Sequence, residues 1–162
     1  MLSFGYAMAA YTAQNYGAQK YERIRMGVHA CLKMSIAFAV GIGVLLIAFG
    51  TFFLELFVGA DAAGAEEVIA YGHTYLIVTG STYTILALLL VYRNVLQGLG
   101  QSVIPTIAGV MELIMRAAAA IFLCSSLGFL GACMAYPLAW IGAAIPVVLA
   151  YLWTEKTLRH ES

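Results

Sequence analysis

The chain has 162 residues, of which 63% are hydrophobic and only 10% are charged, with eight basic and eight acidic side chains. Soluble domains carry about 25% charged residues, so this composition excludes a disordered chain, a nucleic-acid-binding protein driven by charge and an ordinary soluble enzyme. The mean hydropathy of +0.91 indicates an integral membrane protein. At about 20 apolar residues per span, the length allows four to six transmembrane helices and leaves no room for a soluble catalytic domain.

Charge-free runs of sequence predict an all-α, polytopic transmembrane bundle that occupies 1–162 as a single unit. The run over 34–54 would extend about 31 Å as a helix, which matches the hydrocarbon core of a bilayer. The long uncharged stretch near the end of the chain is divided at 125–128, where Ser-Ser-Leu-Gly favours a turn. We therefore predict four complete spans and one partial first span, over 1–15 (partial), 34–55, 68–92, 103–124 and 129–153.

The positions of the basic side chains predict the orientation of the chain. Lysine and arginine occur in the 16–33 connection, at the 93–102 turn and in the C-terminal tail, whereas the two intervening connections have neither. Cytoplasmic loops are enriched in these residues, so we expect a plasma-membrane protein with its N terminus outside and its C terminus in the cytoplasm. A first helix without flanking charge is a weak insertion signal, so the sequence reads as the later part of a longer membrane protein.

Two polar strings are predicted to end helices at the cytoplasmic face. The string over 13–25 combines amides, a glycine placed to terminate a helix and a basic amphipathic stretch suited to anionic lipid. The string over 92–102 combines an arginine available to headgroups with two glycines that favour a tight turn. An interfacial linker already accounts for the first string. The motif and interface positions in the two strings are Gln14, Asn15, Gly17, Arg93, Gln97 and Gly98.

These strings resemble the later part of the multidrug and toxic compound extrusion (MATE) transporters. The resemblance is carried by Gln-Asn-Tyr-Gly-Ala-x-Lys-Tyr-x-Arg-Ile at 14–24, Tyr-Arg-x-x-Leu-Gln-Gly-x-Gly at 92–100 and Glu-Leu-x-x-Arg at 112–116. Family members have twelve helices in two six-helix lobes, so the chain would correspond to the end of helix eight through helix twelve. The resemblance implies antiport of organic, often cationic, compounds coupled to Na⁺ or H⁺, with a separate N-terminal lobe as partner.

Glu112 and Arg116 are ionisable residues inside a predicted span. They are four residues apart on one helix face and can therefore form an ion pair, and a charge in a span is costly unless it is paired or faces an interior cavity. One interpretation is a cation or proton site gated by Arg116; the other is a structural ion pair that also engages Arg93. We favour the second, because a carboxylate neutralised by an arginine is a poor proton carrier.

The span over 68–92 departs from the pattern of the family, some members of which place an acidic coupling residue there. Here the polar candidates carry hydroxyl groups. Thr79 and Thr82 can coordinate Na⁺ weakly but cannot take up a proton near neutral pH, so the coupling carboxylate is expected in the N-terminal lobe. Tyr75 and Tyr83, eight residues apart, would line a cavity for organic cations through cation-π contacts, although packing is the simpler interpretation.

Several alternatives stay open at this point. The chain could be an inactive truncated product, or a small membrane scaffold or regulatory subunit that transports nothing. A lipid-linked oligosaccharide flippase of the same superfamily is a further alternative, but it would be expected to line its cavity with many more basic residues than Arg93 and Arg116. An enzyme is not expected, because the spans contain neither a histidine-rich cluster nor paired aspartates.

The expected partners are the lipid bilayer, small organic cations and the N-terminal lobe, with no nucleic acid. No cofactor is expected apart from the coupling ion, and no metal site. The three cysteines are odd in number and contain no Cys-x-x-Cys pair. Cys124 and Cys133 flank one predicted outer connection and could pair, but cysteines in apolar helices are usually packing residues.

Overall fold

The computed structural model describes residues 1–59 and 64–160, and within these ranges the backbone forms α-helices and no strand. The predicted all-α helix bundle is confirmed. Residues 60–63, inside the predicted outer connection 59–67, lie outside the described ranges, as do 161–162. The helices in chain order are α1 (Leu2–Gly17), α2 (Tyr21–Val58), α3 (Ala65–Ser81), α4 (Tyr83–Gly98), α5 (Val103–Leu127) and α6 (Phe129–His160).

Three of these helices are long and apolar enough to cross a membrane, namely α2, α5 and α6 as far as Leu158. The pair α3 and α4 meets the same criterion together and forms a fourth span, bent by 47° at the break between them. α2 contains 38 residues, so it extends about 57 Å at 1.5 Å per residue. The basic stretch at 21–33 is therefore the first part of the spanning helix α2, whereas the sequence suggested a separate connection.

The break between α5 and α6 lies at Gly128, the last residue of the predicted turn. Gly128 has a φ of 58°, a left-handed conformation that glycine adopts without steric cost. Its N–H donates to the carbonyl of Cys124 over 3.0 Å and so caps the end of α5. α6 then runs back antiparallel to α5, and a Cβ added to Gly142 would contact the Met115 side chain.

The direction of the other helices follows from ring contacts between them. The ring centroids of Tyr83 and Trp140 are 6.2 Å apart, and those of Tyr92 and Tyr151 are 4.6 Å apart. Because the later residue of α4 contacts the later residue of α6, the two helices run parallel. The side chains that these helices bury meet those of α1 and α2 in one apolar core. Inside a membrane such contacts are stabilised by close van der Waals packing, since lipid tails are as apolar as the side chains they replace. The largest fully buried apolar side chains include Ile24, Val28, Leu89, Leu96 and Val147.

Small residues permit the closest approaches between helices. A Cβ added to Gly43 of α2 would lie 2.7 Å from the backbone oxygen of Gly80 in α3, and one added to Gly98 of α4 would lie 2.6 Å from the oxygen of Ala9 in α1. Real Cβ atoms essentially never come this close to another atom. These crossings therefore require glycine. On α6 the alanines that repeat every fourth residue are all buried, which gives that helix a flat packing face: Ala135, Ala139 and Ala143.

The bend between α3 and α4 is stabilised by hydroxyl groups. The Thr79 hydroxyl donates to the carbonyl of Tyr75 over 2.7 Å, and the Thr82 hydroxyl lies within hydrogen-bond distance of the carbonyls of Val78 and Thr79. Hydroxyls that bond back to carbonyls of the preceding turn loosen a helix and often bend it. At the bend itself, the backbone N–H of Thr82 donates to the carbonyl of Thr79 over 3.1 Å.

Candidate functional site

Three charged side chains from two helices meet inside the bundle. Arg93 of α4 contacts one carboxylate oxygen of Glu112 over 3.0 Å, and Arg116 of α5 contacts the other over 2.7 Å. Both contacts are hydrogen bonds donated by guanidinium N–H groups. We call Arg93, Glu112 and Arg116 the arginine–glutamate cluster. Glu112 thus contacts both Arg116 and Arg93, as in the structural ion pair described from the sequence.

Arg116 of the arginine–glutamate cluster lies near the middle of a helix that is long and apolar enough to span a membrane. Arg116 is the 14th of the 25 residues of α5, one residue past the midpoint. The side chains of Arg93 and Glu112 are 20% and 19% exposed, and that of Arg116 is 36% exposed. A charged group exposed to hydrocarbon at this depth is costly. The open side of Arg116 therefore fits an aqueous cavity or another part of the protein better than lipid.

The charges of the arginine–glutamate cluster do not balance. Two guanidinium groups share one carboxylate, which leaves one excess positive charge. Both oxygens of Glu112 are already engaged by arginine N–H groups. Among the described residues, the buried Nε atoms of Arg93 and Arg116 have no hydrogen-bond partner. The site is thus short of acceptors for the donors it contains.

An aromatic wall borders the open side of Arg116. The Arg116 guanidinium lies over the ring of Tyr136 in α6, 4.4 Å from the ring centroid, in a cation-π contact. Trp140, one turn further along α6, lies 6.1 Å from Tyr136 and 6.2 Å from Tyr83. α4 and α6 therefore contribute one aromatic surface beside the arginine–glutamate cluster.

The four polar candidates on α3 and α4 have different positions. Tyr75 is 39% exposed, and Tyr83 is half-buried against the apolar core. The structure thus brings Tyr83 to the aromatic wall, through the contact of its ring with that of Trp140. Thr79 is buried and Thr82 half-buried, and their hydroxyl protons go to helix carbonyls at the bend. In this arrangement the two threonines act on the bend between the helices.

Tyr136 is the residue of this site that the sequence interpretation missed. In the sequence it is one of many aromatic residues of a span. Its neighbour Ala135 belongs to the buried alanine face of α6, which places Tyr136 at the edge of that face. The alanine repeat was the available signal, but it does not say which helix lies beside that edge.

Comparison with known proteins identifies the chain. The sequence matches the family described as MatE over residues 1–122. The chain belongs to the MATE family. No match was found among proteins of curated function.

Two solved structures resemble this MATE chain in fold. One is a crystal structure of a MATE protein in complex with MaL6, with a TM-score of 0.84, 16% identity, and coverage of 95% of this chain and 34% of that one. The other is an inward-facing conformation of a multidrug resistance MATE family transporter of the MOP superfamily, with a TM-score of 0.83 and 17% identity. That match covers 98% of this chain and 36% of the other. The chain spans about a third of the length of both, and at this identity the likeness concerns the fold.

The first MATE-like string lies where α1 turns into α2. Asn15 donates to the carbonyl of Tyr11 over 2.8 Å, and α1 ends at Gly17, as the sequence suggested. The following residue in a left-handed conformation is Gln19, with a φ of 56°. Gln14 is exposed. These residues end one helix and redirect the chain into the next.

The second string lies at the end of α4. Gln97 is exposed, whereas Gly98 lies against Ala9 and Thr12 of α1. Gln101 in the following turn bonds the Thr154 hydroxyl over 3.1 Å and so connects this turn to the end of α6. Of the six motif positions, only Arg93 belongs to the arginine–glutamate cluster.

The three cysteines are free thiols in this MATE chain. Cys31 and Cys133 are buried, and Cys124 is half-buried. Over residues 1–59 and 64–160, no group of three or more His, Cys, Asp or Glu side chains is arranged to hold a metal ion.

Proposed function

We propose that this chain forms part of a cation-coupled antiporter that exports organic compounds by alternating access. It would contribute about a third of the transporter and work against an N-terminal lobe. The observation that carries the proposal is a charged cluster at mid-span, open on one side, within a chain of MATE fold. Ionisable residues within membrane spans are rare, and they commonly mark substrate or ion pathways.

The residues exposed on the outer surface of the bundle are consistent with an N-terminal lobe beside it. α2 exposes large apolar side chains along most of its length, as lipid or another lobe requires, among them Phe38, Val44, Phe49, Phe52 and Leu56. Arg116, in contrast, opens from the bundle at mid-span, where lipid is unfavourable. We infer that the face carrying Arg116 is turned toward the N-terminal lobe and the substrate path between the lobes.

The coupling ion is expected to bind outside this chain. Both carboxylate oxygens of Glu112 accept hydrogen bonds from arginines, so neither is left free to coordinate a cation. On α3 and α4 the buried or half-buried Thr79 and Thr82 offer only hydroxyl oxygens. We therefore assign the coupling carboxylate, for Na⁺ or H⁺, to the N-terminal lobe, and place the protein in the plasma membrane with its C terminus in the cytoplasm.

A chimera tests this function. The chain replaces the matching third of one of the two solved transporters, and efflux of ethidium is measured in cells that lack their own exporters. We expect energy-dependent efflux from the chimera and none from cells expressing the 162 residues alone. Collapsing the Na⁺ and proton gradients separately then identifies the coupling ion. Efflux by the 162 residues alone, or a correctly inserted chimera that exports nothing, would contradict the proposal.

A further inference from the structure

We propose that the arginine–glutamate cluster, together with Tyr136, binds the carboxylate of an aromatic organic anion. This inference rests on the proposed export function and adds a substrate class to the organic cations to which the resemblance points. The carboxylate would lie against the open side of Arg116, and its aromatic ring would lie on the wall formed by Tyr136 and its neighbours.

The charge balance gives the sign of the ligand. The arginine–glutamate cluster holds two guanidinium groups and one carboxylate, and both oxygens of that carboxylate are in use. An incoming cation would meet an excess positive charge and no available carboxylate oxygen. An incoming anion would neutralise that charge, in a region where an uncompensated charge is costly.

The geometry gives the chemical class of the anion. A guanidinium has five N–H donors in a planar fork that matches a carboxylate, and Glu112 takes one donor of Arg116 over 2.7 Å. The Arg116 side chain is 36% exposed, so a ligand can reach part of it. The ring of Tyr136, which the Arg116 guanidinium contacts, is in a residue that is 40% exposed. An acceptor group with an attached aromatic ring fits this combination of donors and ring faces.

Glu112 should then act in the opposite sense from a cation-binding carboxylate. In a cation site, replacing the glutamate removes the ligand and abolishes binding. In an anion site built on Arg93 and Arg116, Glu112 competes with the ligand for the same N–H groups. Glu112→Gln should therefore strengthen anion binding, because it releases donors and raises the excess positive charge.

Equilibrium dialysis of the purified chain in nanodiscs of zwitterionic lipid tests the proposal. The probes are radiolabelled naphthoate and its uncharged analogue naphthamide, with empty nanodiscs as the blank for partition into lipid. We expect the chain to bind naphthoate in preference to naphthamide. Arg116→Gln should weaken naphthoate binding at least about tenfold, as loss of a charge-assisted hydrogen bond predicts. The matched control is Arg23→Gln, at an exposed arginine near the start of α2, which should leave naphthoate binding unchanged.

Two further variants keep the test decisive. Glu112→Gln should bind naphthoate several-fold more tightly than the native chain. Arg116→Lys keeps the charge and should retain part of the affinity, and it tests the role of Arg116 if Arg116→Gln does not fold. Equal binding of naphthoate and naphthamide, or equal weakening by Arg116→Gln and Arg23→Gln, would overturn the proposal. So would a folded Glu112→Gln chain that binds naphthoate less tightly than the native chain.

The binding measurement uses no ion gradient and no second lobe, so it is independent of transport. A chain that binds naphthoate within a chimera that exports nothing would count against the proposed function alone. A chimera that exports ethidium, built on a chain that does not bind naphthoate, would count against the anion site alone.

Discussion

Replacing Glu112 should destabilise the bundle more than replacing any surface charge. Glu112→Gln leaves the shape of the side chain and removes the charge that both arginines share. Each contact is a charge-assisted hydrogen bond, worth about 1.5 kcal/mol at the lower end of the usual range. We use that lower end because Arg116 is 36% exposed. The expected loss in the free energy of unfolding is about 3 kcal/mol, at the low end for breaking a buried ion pair.

A double-mutant cycle shows whether this loss comes from the contacts themselves. Arg93→Gln alone should cost about 1.5 kcal/mol, since Glu112 keeps its bond to Arg116. Adding Arg93→Gln to Glu112→Gln should cost little more, because the contact is already gone. Stability is measured by unfolding in mixed dodecyl sulfate and maltoside micelles, followed by far-ultraviolet circular dichroism. Additive costs for the two single variants, or a loss below 0.5 kcal/mol for Glu112→Gln (roughly the scale of an ordinary surface substitution), would refute the reasoning.

The remaining predictions concern packing, connection and orientation. Gly43→Ala should lower stability by about 1–3 kcal/mol, as overpacking does, whereas Gly41→Ala, with nothing within 4 Å of an added Cβ, should be neutral or stabilising in the same unfolding assay. Gln101→Ala removes the bond from the α4–α5 turn to α6 and should lower stability by about 1 kcal/mol; an unchanged transition would contradict that contact. In a chain without its native cysteines, Glu66→Cys should react with an impermeant reagent added outside and Lys20→Cys should not, and the reverse pattern would overturn the orientation.

The spans could be predicted from the sequence, but their shape could not. Charge-free runs locate apolar helices because a charge in hydrocarbon is costly wherever the helix packs. The bend at Thr82 leaves no such signal, since an apolar run with threonines is typical of straight helices as well. The bend depends on hydroxyl bonds to the carbonyls of the preceding turn and on the tight contact of Gly80 with α2. The contact of Gly80 with α2 is a tertiary interaction, which the sequence of this segment alone does not reveal.

One of the two ion-pair contacts of Glu112 could be predicted from the sequence in the same way. The contact of Glu112 with Arg116 follows from their spacing on one helix. The contact of Arg93 with Glu112 crosses from α4 to α5, so the sequence could only name it as one possibility. The contact of Arg116 with Tyr136 depends on the rotation of α6 about its axis, which the packing of its alanine face sets.

The excess positive charge also makes the bundle sensitive to the membrane potential. One elementary charge moved across the whole membrane exchanges about 2.3 kcal/mol with a potential of 100 mV. A charge that moves between the level of Arg116, near the midpoint of α5, and one membrane surface crosses about half of that potential, which corresponds to roughly 1.2 kcal/mol. In the proposed transport cycle, a negative cytoplasm would favour every movement that carries the arginine–glutamate cluster inward while no anion is bound. An anion bound at Arg116 would cancel the excess charge, and with it this contribution of the membrane potential.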